Sequence, residues 1–370
     1  MKYDIDFVIV EQKKYKILDK SLGGRKFKVP AKSKLVVDFS GKNMHTIIAN
    51  TIRRVCLDNI PTYAFNPENI KITANNTIEN NDMMRLRMSQ LPVLDTDCEL
   101  FYLHPKYWRT DLVDFQDQTR ERHESEKTIN IDINYHNNSN EIYNVTTNNI
   151  KYTEGGKDVP NKYNSDCPIL LAQLRPAETF ACSMRATLGT GERNNIYSAV
   201  NTCYYDDNSR DPMTGQPVEN KNNRVTLTIE SSGQSSEAVI LLKSFMYIQK
   251  RLNDLTEELK SKKLGDQAHI VIDLENEDHT MGELINYAFQ DHEDIQYSGC
   301  AKLDHLINNI RISVLGKGNK SPLPAIYDQL DALTVLFHSF ETKMLKQADV
   351  KEIDPEKSKH SAKKPTKAKK

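Results

Sequence analysis

No stretch of the 370 residues approaches the roughly 18 to 20 consecutive apolar side chains that a membrane helix needs. The start, MKYDIDFVIVEQKK, also carries charges where a signal peptide keeps an apolar core, so an intracellular, soluble chain without membrane contact is expected. Net charge is nearly absent: 50 basic against 51 acidic side chains leave a formal −1, and no overall field to hold a long nucleic acid. Cysteine is sparse and scattered at Cys56, Cys98, Cys167, Cys182, Cys203 and Cys300. Without a Cys-x-x-Cys pair, buried reduced thiols are expected, and neither a disulfide framework nor a zinc knuckle. Glycine is scarce as well, 14 against 32 asparagines, which points to polar loops around compact modules. Catalytic signatures are missing: Leu188-Gly189-Thr190-Gly191 contains a Gly-x-Gly, but Asn194 breaks the dinucleotide pattern. No Gly-Lys-Ser/Thr, His-Glu-x-x-His or Gly-x-Ser-x-Gly occurs. The sequence offers no catalytic residue set, metal ligand set or cofactor site of its own.

What is present is length enough for two or three domains, and an α+β pattern. Ile5–Val10 and Lys34–Phe39 read as strands, and Asn43–Asp58 as a helix with Ile48, Ile52 and Val55 on one face. Thr62–Phe65 and Ile70–Thr73 follow as strands, which closes a first module at residue 94. Residues 95–222 then carry short strand-like runs, Glu99–Leu103, Thr128–Tyr135, Ile169–Leu174 and Phe180–Leu188, between polar connections, and so predict a β-rich insert domain. Asn137–Asn149 and Tyr205–Asn223 are polar enough to be loops. The first module resumes over 223–264 with a strand at Val225–Ile229. A long helix comes next, its Leu241, Phe245, Ile248, Leu252, Leu255 and Leu259 forming a narrow apolar seam.

Residues 265–348 repeat the plan: a strand at Ile270–Leu274, a helix at Thr280–Asp291 presenting Met281, Leu284 and Ile285, and a strand at Ile310–Leu315. A final helix places Ile326, Leu330, Leu333, Phe337, Phe340 and Met344 at the same spacing as the first seam. Each seam needs a partner. Either the two long helices pack on each other, making two dimerisation modules into an intramolecular pseudo-dimer, or each packs on its own sheet. The remainder, 349–370, ends in KSKHSAKKPTKAKK with seven lysines and no acid, which reads as a disordered basic tail.

Two stretches leave room for other functions. Asp95 and Asp97 would share one face of a strand and could hold Mg²⁺, the basis of a stand-alone metal-dependent nucleotidyltransferase or nuclease. The lysine tail could make the chain a DNA-binding protein. His45 and His279, both near helix starts, suit capping or packing.

The segment Asn43–Ala64, with Asn50, Arg53, Arg54, Ile60 and Pro61, resembles the first helix of the α-type assembly subunits of multisubunit RNA polymerases. These are the bacterial α subunit, the archaeal D subunit and the third-largest subunit of eukaryotic RNA polymerase II. Arg85–Val93 resembles the family's Arg-Leu segment. Leu174-Arg175-Pro176, Gly189-x-Gly191 and Tyr197–Val200 resemble its insert, with Asn194, Asn195, Ile196 and Tyr197 in place of His, Ala, Lys and Trp. Glu277–Gly282, Leu284 and Tyr287 resemble the smaller partner, the archaeal L subunit or the eleventh subunit of polymerase II.

The resemblance implies a fusion, in one chain, of two subunits that elsewhere form a heterodimer, as in large cytoplasmic DNA viruses. It implies a non-catalytic scaffold that docks the two largest polymerase subunits and joins small ones, touching DNA only through the complex. It also implies residence in the host cytoplasm and the virion. Arg53, Arg54, Gly189, Gly191 and Tyr197 become the expected partner-binding residues, the alternative for Arg53 and Arg54 being an intrachain ion pair or a solvated face. Ile48, Ile52, Val55, Met281, Leu284, Ile285, Phe337 and Phe340 become the expected pseudo-dimer contacts.

Overall fold

Alternation of apolar and polar residues at the start of the chain builds an edge strand whose Ile5 and Phe7 face inward while Asp6 and Val8 face out. The computed structural model describes residues 3–22, 25–31, 33–96, 98–108, 121–208, 223–262, 265, 267–304 and 309–347, with the backbone path alone for 17–31. In chain order the first elements are β1 (Ile5–Lys13), β2 (Lys16–Leu22), β3 (Arg25–Ala31), β4 (Lys34–Gly41), α1 (Thr46–Asp58), β5 (Thr62–Ala64), β6 (Ile70–Asn75) and α2 (Asn81–Ser89). Next come β7 (Ile129–His136), β8 (Tyr143–Thr146), β9 (Ile150–Glu154), β10 (Lys157–Asp158), β11 (Leu170–Leu174), β12 (Thr179–Gly189) and β13 (Val200–Asp207). The last are β14 (Asn223–Ser231), α3 (Glu237–Ser261), β15 (His269–Glu275), α4 (His279–Gln290), β16 (Ile295–Lys302), β17 (Asn309–Gly316) and α5 (Leu323–Gln347).

Two compact units result: one joins the stretch up to Ile60 to the stretch from Ser198, and the other is Pro61–Tyr197. In the first, an antiparallel sheet runs β1-β4-β14-β13, with Phe7 opposite Phe39 and Phe39 opposite Val225. A second antiparallel sheet runs β15-β17-β16. The six seam residues of α3 and the six of α5 are all buried, and the two helices pack on each other. This answers the question that amphipathicity leaves open: the long helices share a seam. At the point where the unit is interrupted, the Ser198 hydroxyl donates to the Leu57 carbonyl at 3.2 Å.

The second unit is organised by β12. One edge of this 11-residue strand pairs with β7, and its other edge pairs first with β6 and then with β5. Its core joins Phe65, Met84, Met88, Trp108, Ile131 and Phe180. Thr62 and Tyr197, near its two ends, are tied by a 2.5 Å hydrogen bond from the Thr62 hydroxyl to the Tyr197 carbonyl.

The unit boundaries therefore differ from those read in the sequence. The first falls at Pro61 and not at residue 95, because β5 and β6 pair with β12. The other falls at Tyr197 and not at 222, because β13 pairs with β14 in the first unit's sheet. Residues 265–347 are not a separate compact unit either, since α4 and α5 pack on α1 and α3. Glu99–Leu103 forms no strand; Leu100 and Leu103 enter the core from irregular backbone. Asn137–Asn149 is not simply a loop, for it contains β8, and the buried Asn137 amide donates to the carbonyls of Glu141 and Leu174. Most of the second polar stretch, 209–222, and the tail, 349–370, lie outside the described residues.

Candidate functional site

The residues expected as pseudo-dimer contacts lie, within the first unit, on two packed helix pairs, α1–α4 and α3–α5. In the first pair, α1 starts where the His45 ring nitrogen accepts from the Ile47 amide at 3.2 Å, and α4 starts where the Asp278 carboxylate accepts from Thr280 at 2.8 Å. His45 is thus a cap, whereas His279 is the first helical residue of α4 and Asp278 does the capping. Ile48, Ile52 and Val55 of α1 are buried, as are Met281, Leu284 and Ile285 of α4, and the helices pack together. The Thr51 hydroxyl donates to the Thr280 carbonyl at 3.3 Å as well as to Ile47 on its own helix. The His45 ring stacks on Tyr287 at 4.7 Å.

The two arginines of α1 are engaged within the chain. Arg54 bridges Asp278 at 2.8 Å and approaches Asp58 at 3.8 Å. Arg53 folds back to donate twice to the Asn50 side-chain oxygen, at 2.9 and 3.0 Å. The Arg54 and Asp278 side chains retain 36% and 37% of their exposure, so the pair lies at the rim. Burial lifts the Asp58 carboxyl above the ordinary aspartate range despite the Arg54 charge beside it.

In the second pair, Phe245 of α3 and Phe337 and Phe340 of α5 meet Phe7 and Phe39 of the sheet. Phe340 is the hub, with ring centroids 5.4 to 5.8 Å from those of Phe245, Phe39, Phe7 and Phe337. The contact with Phe337 is edge-to-face at 85°. Such geometry sets the positive ring edge against a negative ring face, which favours it over a flat sandwich. Polar contacts border the aromatic group: Gln249 donates to Glu341 at 2.8 Å, the Tyr3 hydroxyl to Gln329 at 3.0 Å, and Lys343 pairs with Asp6. Arg251 of α3 grips Glu277, just before α4, through Nε at 2.7 Å and through Nη2. Burial pushes the Glu277 carboxyl above its ordinary value even against this guanidinium.

The loop expected to carry Gly189, Gly191 and Tyr197 as a surface needs correction at Tyr197. That ring is fully buried, and its hydroxyl hydrogen-bonds with Thr187 at 2.9 Å. A Cβ on Gly189 would lie 2.8 Å from the Tyr197 ring, so the glycine makes room for the aromatic side chain. Gly189 and Tyr197 are a packing pair, and within the loop Gly191 is partly exposed while Asn194 and Asn195 beyond it are exposed.

Residues 38–252 match the RNA polymerase Rpb3/Rpb11 dimerisation domain. The chain belongs to this family. The match runs from β4 to α3, through the second unit, and ends before β15, α4 and α5. A protein of Acanthamoeba polyphaga mimivirus, named as a candidate DNA directed RNA polymerase subunit, is 24% identical over 301 residues, which cover 75% of this chain and 81% of that protein.

In this dimerisation-domain chain the acidic pair of the sequence reading does not form a strand-borne site. Asp95 lies at a bend with φ 44°, its carbonyl accepting from Lys162 at 3.1 Å, and Asp97 lies outside the described residues. Among the described residues, one set of three metal-competent side chains converges: His279, Glu283 and Cys300, their ligand atoms all within 4.8 Å of one another. Motif spacing misses this set because Cys300 comes from β16, 21 positions beyond His279; the readable trace is the His–Glu pair four residues apart on α4. Cys56 and Cys203 are buried, and hydrogen bonding to Cys56 together with burial raises the Cys203 thiol far above the ordinary range. No helix among the described residues is long and apolar enough to cross a membrane.

Proposed function

We propose that this chain is a non-catalytic assembly subunit of a multisubunit DNA-directed RNA polymerase, in which two dimerisation modules are fused as an intramolecular pseudo-dimer that docks the two largest subunits. The observation that carries the reading is the α3–α5 seam: the family match stops within α3, and the helix that packs on it is supplied by the same chain. Fusion makes the pairing intramolecular, so it no longer depends on protomer concentration. The rim residues Arg53 and Arg54, and the partly exposed loop at Gly191, are the surfaces we assign to the large and small polymerase subunits. The mimivirus relative supports an origin in a large DNA virus; residence in the host cytoplasm and the virion is part of the same proposal.

Affinity purification of the tagged chain from its native source, followed by mass spectrometry, tests this. Two very large polymerase-like subunits should be recovered in amounts equal to the chain; recovery of the chain without them sinks the reading. A thermal midpoint that rises with chain concentration would sink the intramolecular pairing on its own.

A further inference from the structure

We propose that His279, Glu283 and Cys300 form a three-ligand site for a zinc-class divalent cation, which clamps the first turn of α4 to strand β16. The site lies beyond the family match, which stops at residue 252, and it stands independently of the polymerase reading.

The donors come from two elements. His279 and Glu283 sit one turn apart on α4, with Nδ1 and Oε1 3.9 Å apart, and a His–Glu pair of that kind alone is a common helix-surface contact. Cys300 changes its character. It lies on the outer strand of the β15-β17-β16 sheet, and its sulfur reaches the backbone of α4 beside Gly282, where a Cβ would stand 2.9 Å from Sγ and 2.8 Å from Ile310 Cγ2. A glycine at this position is what lets the strand bring its thiol against the helix. Cys300 is only partly buried, and so is Glu283, while His279 is exposed, so a hydrated ion can reach all three.

Imidazole nitrogen, carboxylate oxygen and thiolate sulfur are together the donor set of zinc and its neighbours; magnesium and calcium take oxygen alone. Bonds of about 2.0–2.3 Å at tetrahedral angles put ligand atoms roughly 3.3–3.8 Å apart. The present spread of up to 4.8 Å closes to that by side-chain adjustment of His279 and Glu283, which project from the surface. Binding replaces the thiol proton, which leaves to solvent, and the two anionic ligands then balance the charge of the ion. Three protein ligands leave one position for water or for a group from a neighbouring protein.

The test uses the full chain, reduced and stripped with a chelator, and titrated with Co²⁺ as a spectroscopic probe. One equivalent should give near-ultraviolet sulfur-to-cobalt charge transfer that Zn²⁺ abolishes by displacement. Cys300→Ser should remove the charge-transfer band, and His279→Ala and Glu283→Gln should each weaken binding by at least about tenfold. Cys167→Ser, at the other partly exposed thiol, should change nothing. Absence of a stoichiometric band in the parent chain overturns the site, as does a band that persists in Cys300→Ser. Should Cys300→Ser misfold by circular dichroism, unchanged affinity in the surface variant His279→Ala overturns it equally.

Discussion

The two helix pairs of the first unit, α3–α5 and α1–α4, are built from different materials. Between α3 and α5 the contact is apolar and centres on Phe340, which touches four other phenylalanines. Between α1 and α4 buried aliphatic faces are rimmed by directional contacts: a hydroxyl on a carbonyl, a stacked imidazole and an ion pair. Apolar burial is strong but indifferent to orientation, whereas hydrogen bonds add little net energy and tolerate few geometries. The difference teaches that one pair supplies the adhesion and the other supplies the alignment.

Substitutions should separate these roles. Phe340→Ala removes the hub of the aromatic group and is expected to cost about 3–5 kcal/mol, read by chemical denaturation. A loss under about 1 kcal/mol would mean that adhesion lies elsewhere. Gly282→Ala drives a methyl into Ile310 and Cys300 and should cost roughly 1–3 kcal/mol, while also separating α4 from β16 enough to weaken Co²⁺ uptake. At the aligning pair, Asp278→Ala should cost about 1 kcal/mol more than Asp278→Asn, because Asn keeps the cap on Thr280. Arg54→Ala, which breaks a partly exposed pair, should cost at most about 1 kcal/mol, shrinking with added salt.

The finest probe is a slope. Burial raises the Glu277 carboxyl in the folded chain, so between the ordinary glutamate value and the raised one the folded state holds more protons than the unfolded state. Stability from this group is therefore fullest below the ordinary value and declines as pH rises through the raised one. Glu277→Gln should flatten that decline in denaturation midpoints measured across the acid range; an unchanged slope would remove Glu277 as its source.

Much of the architecture is legible before any coordinates. The seams of α3 and α5 follow from residue spacing alone, because a 4-3 repeat has one helical solution. Their mutual packing does not, since an apolar stripe names no partner. Strand allegiance is equally hidden: β5 and β6 are readable as extended segments, but their partner β12 lies more than a hundred residues away, and β13 is not readable as a strand at all. At the candidate sites the arginine pair is visible as a charged motif, while its partner Asp278, 224 positions on, is supplied only by folding. Tyr197 misleads in the opposite way. The family resemblance places it in a partner-binding loop, whereas the missing Cβ of Gly189 leaves room for the ring to turn inward.

The clasp between Thr62 and Tyr197 has a consequence for how such a chain can change. Since the chain leaves and re-enters the first unit where Ser198 is tied to Leu57, the entropy of closing the excursion between them depends only weakly on its length. Doubling a closed excursion of this kind adds only about 0.6 kcal/mol of entropy cost. Lineages can therefore enlarge, trim or exchange that excursion while the helical frame of the first unit stays as it is.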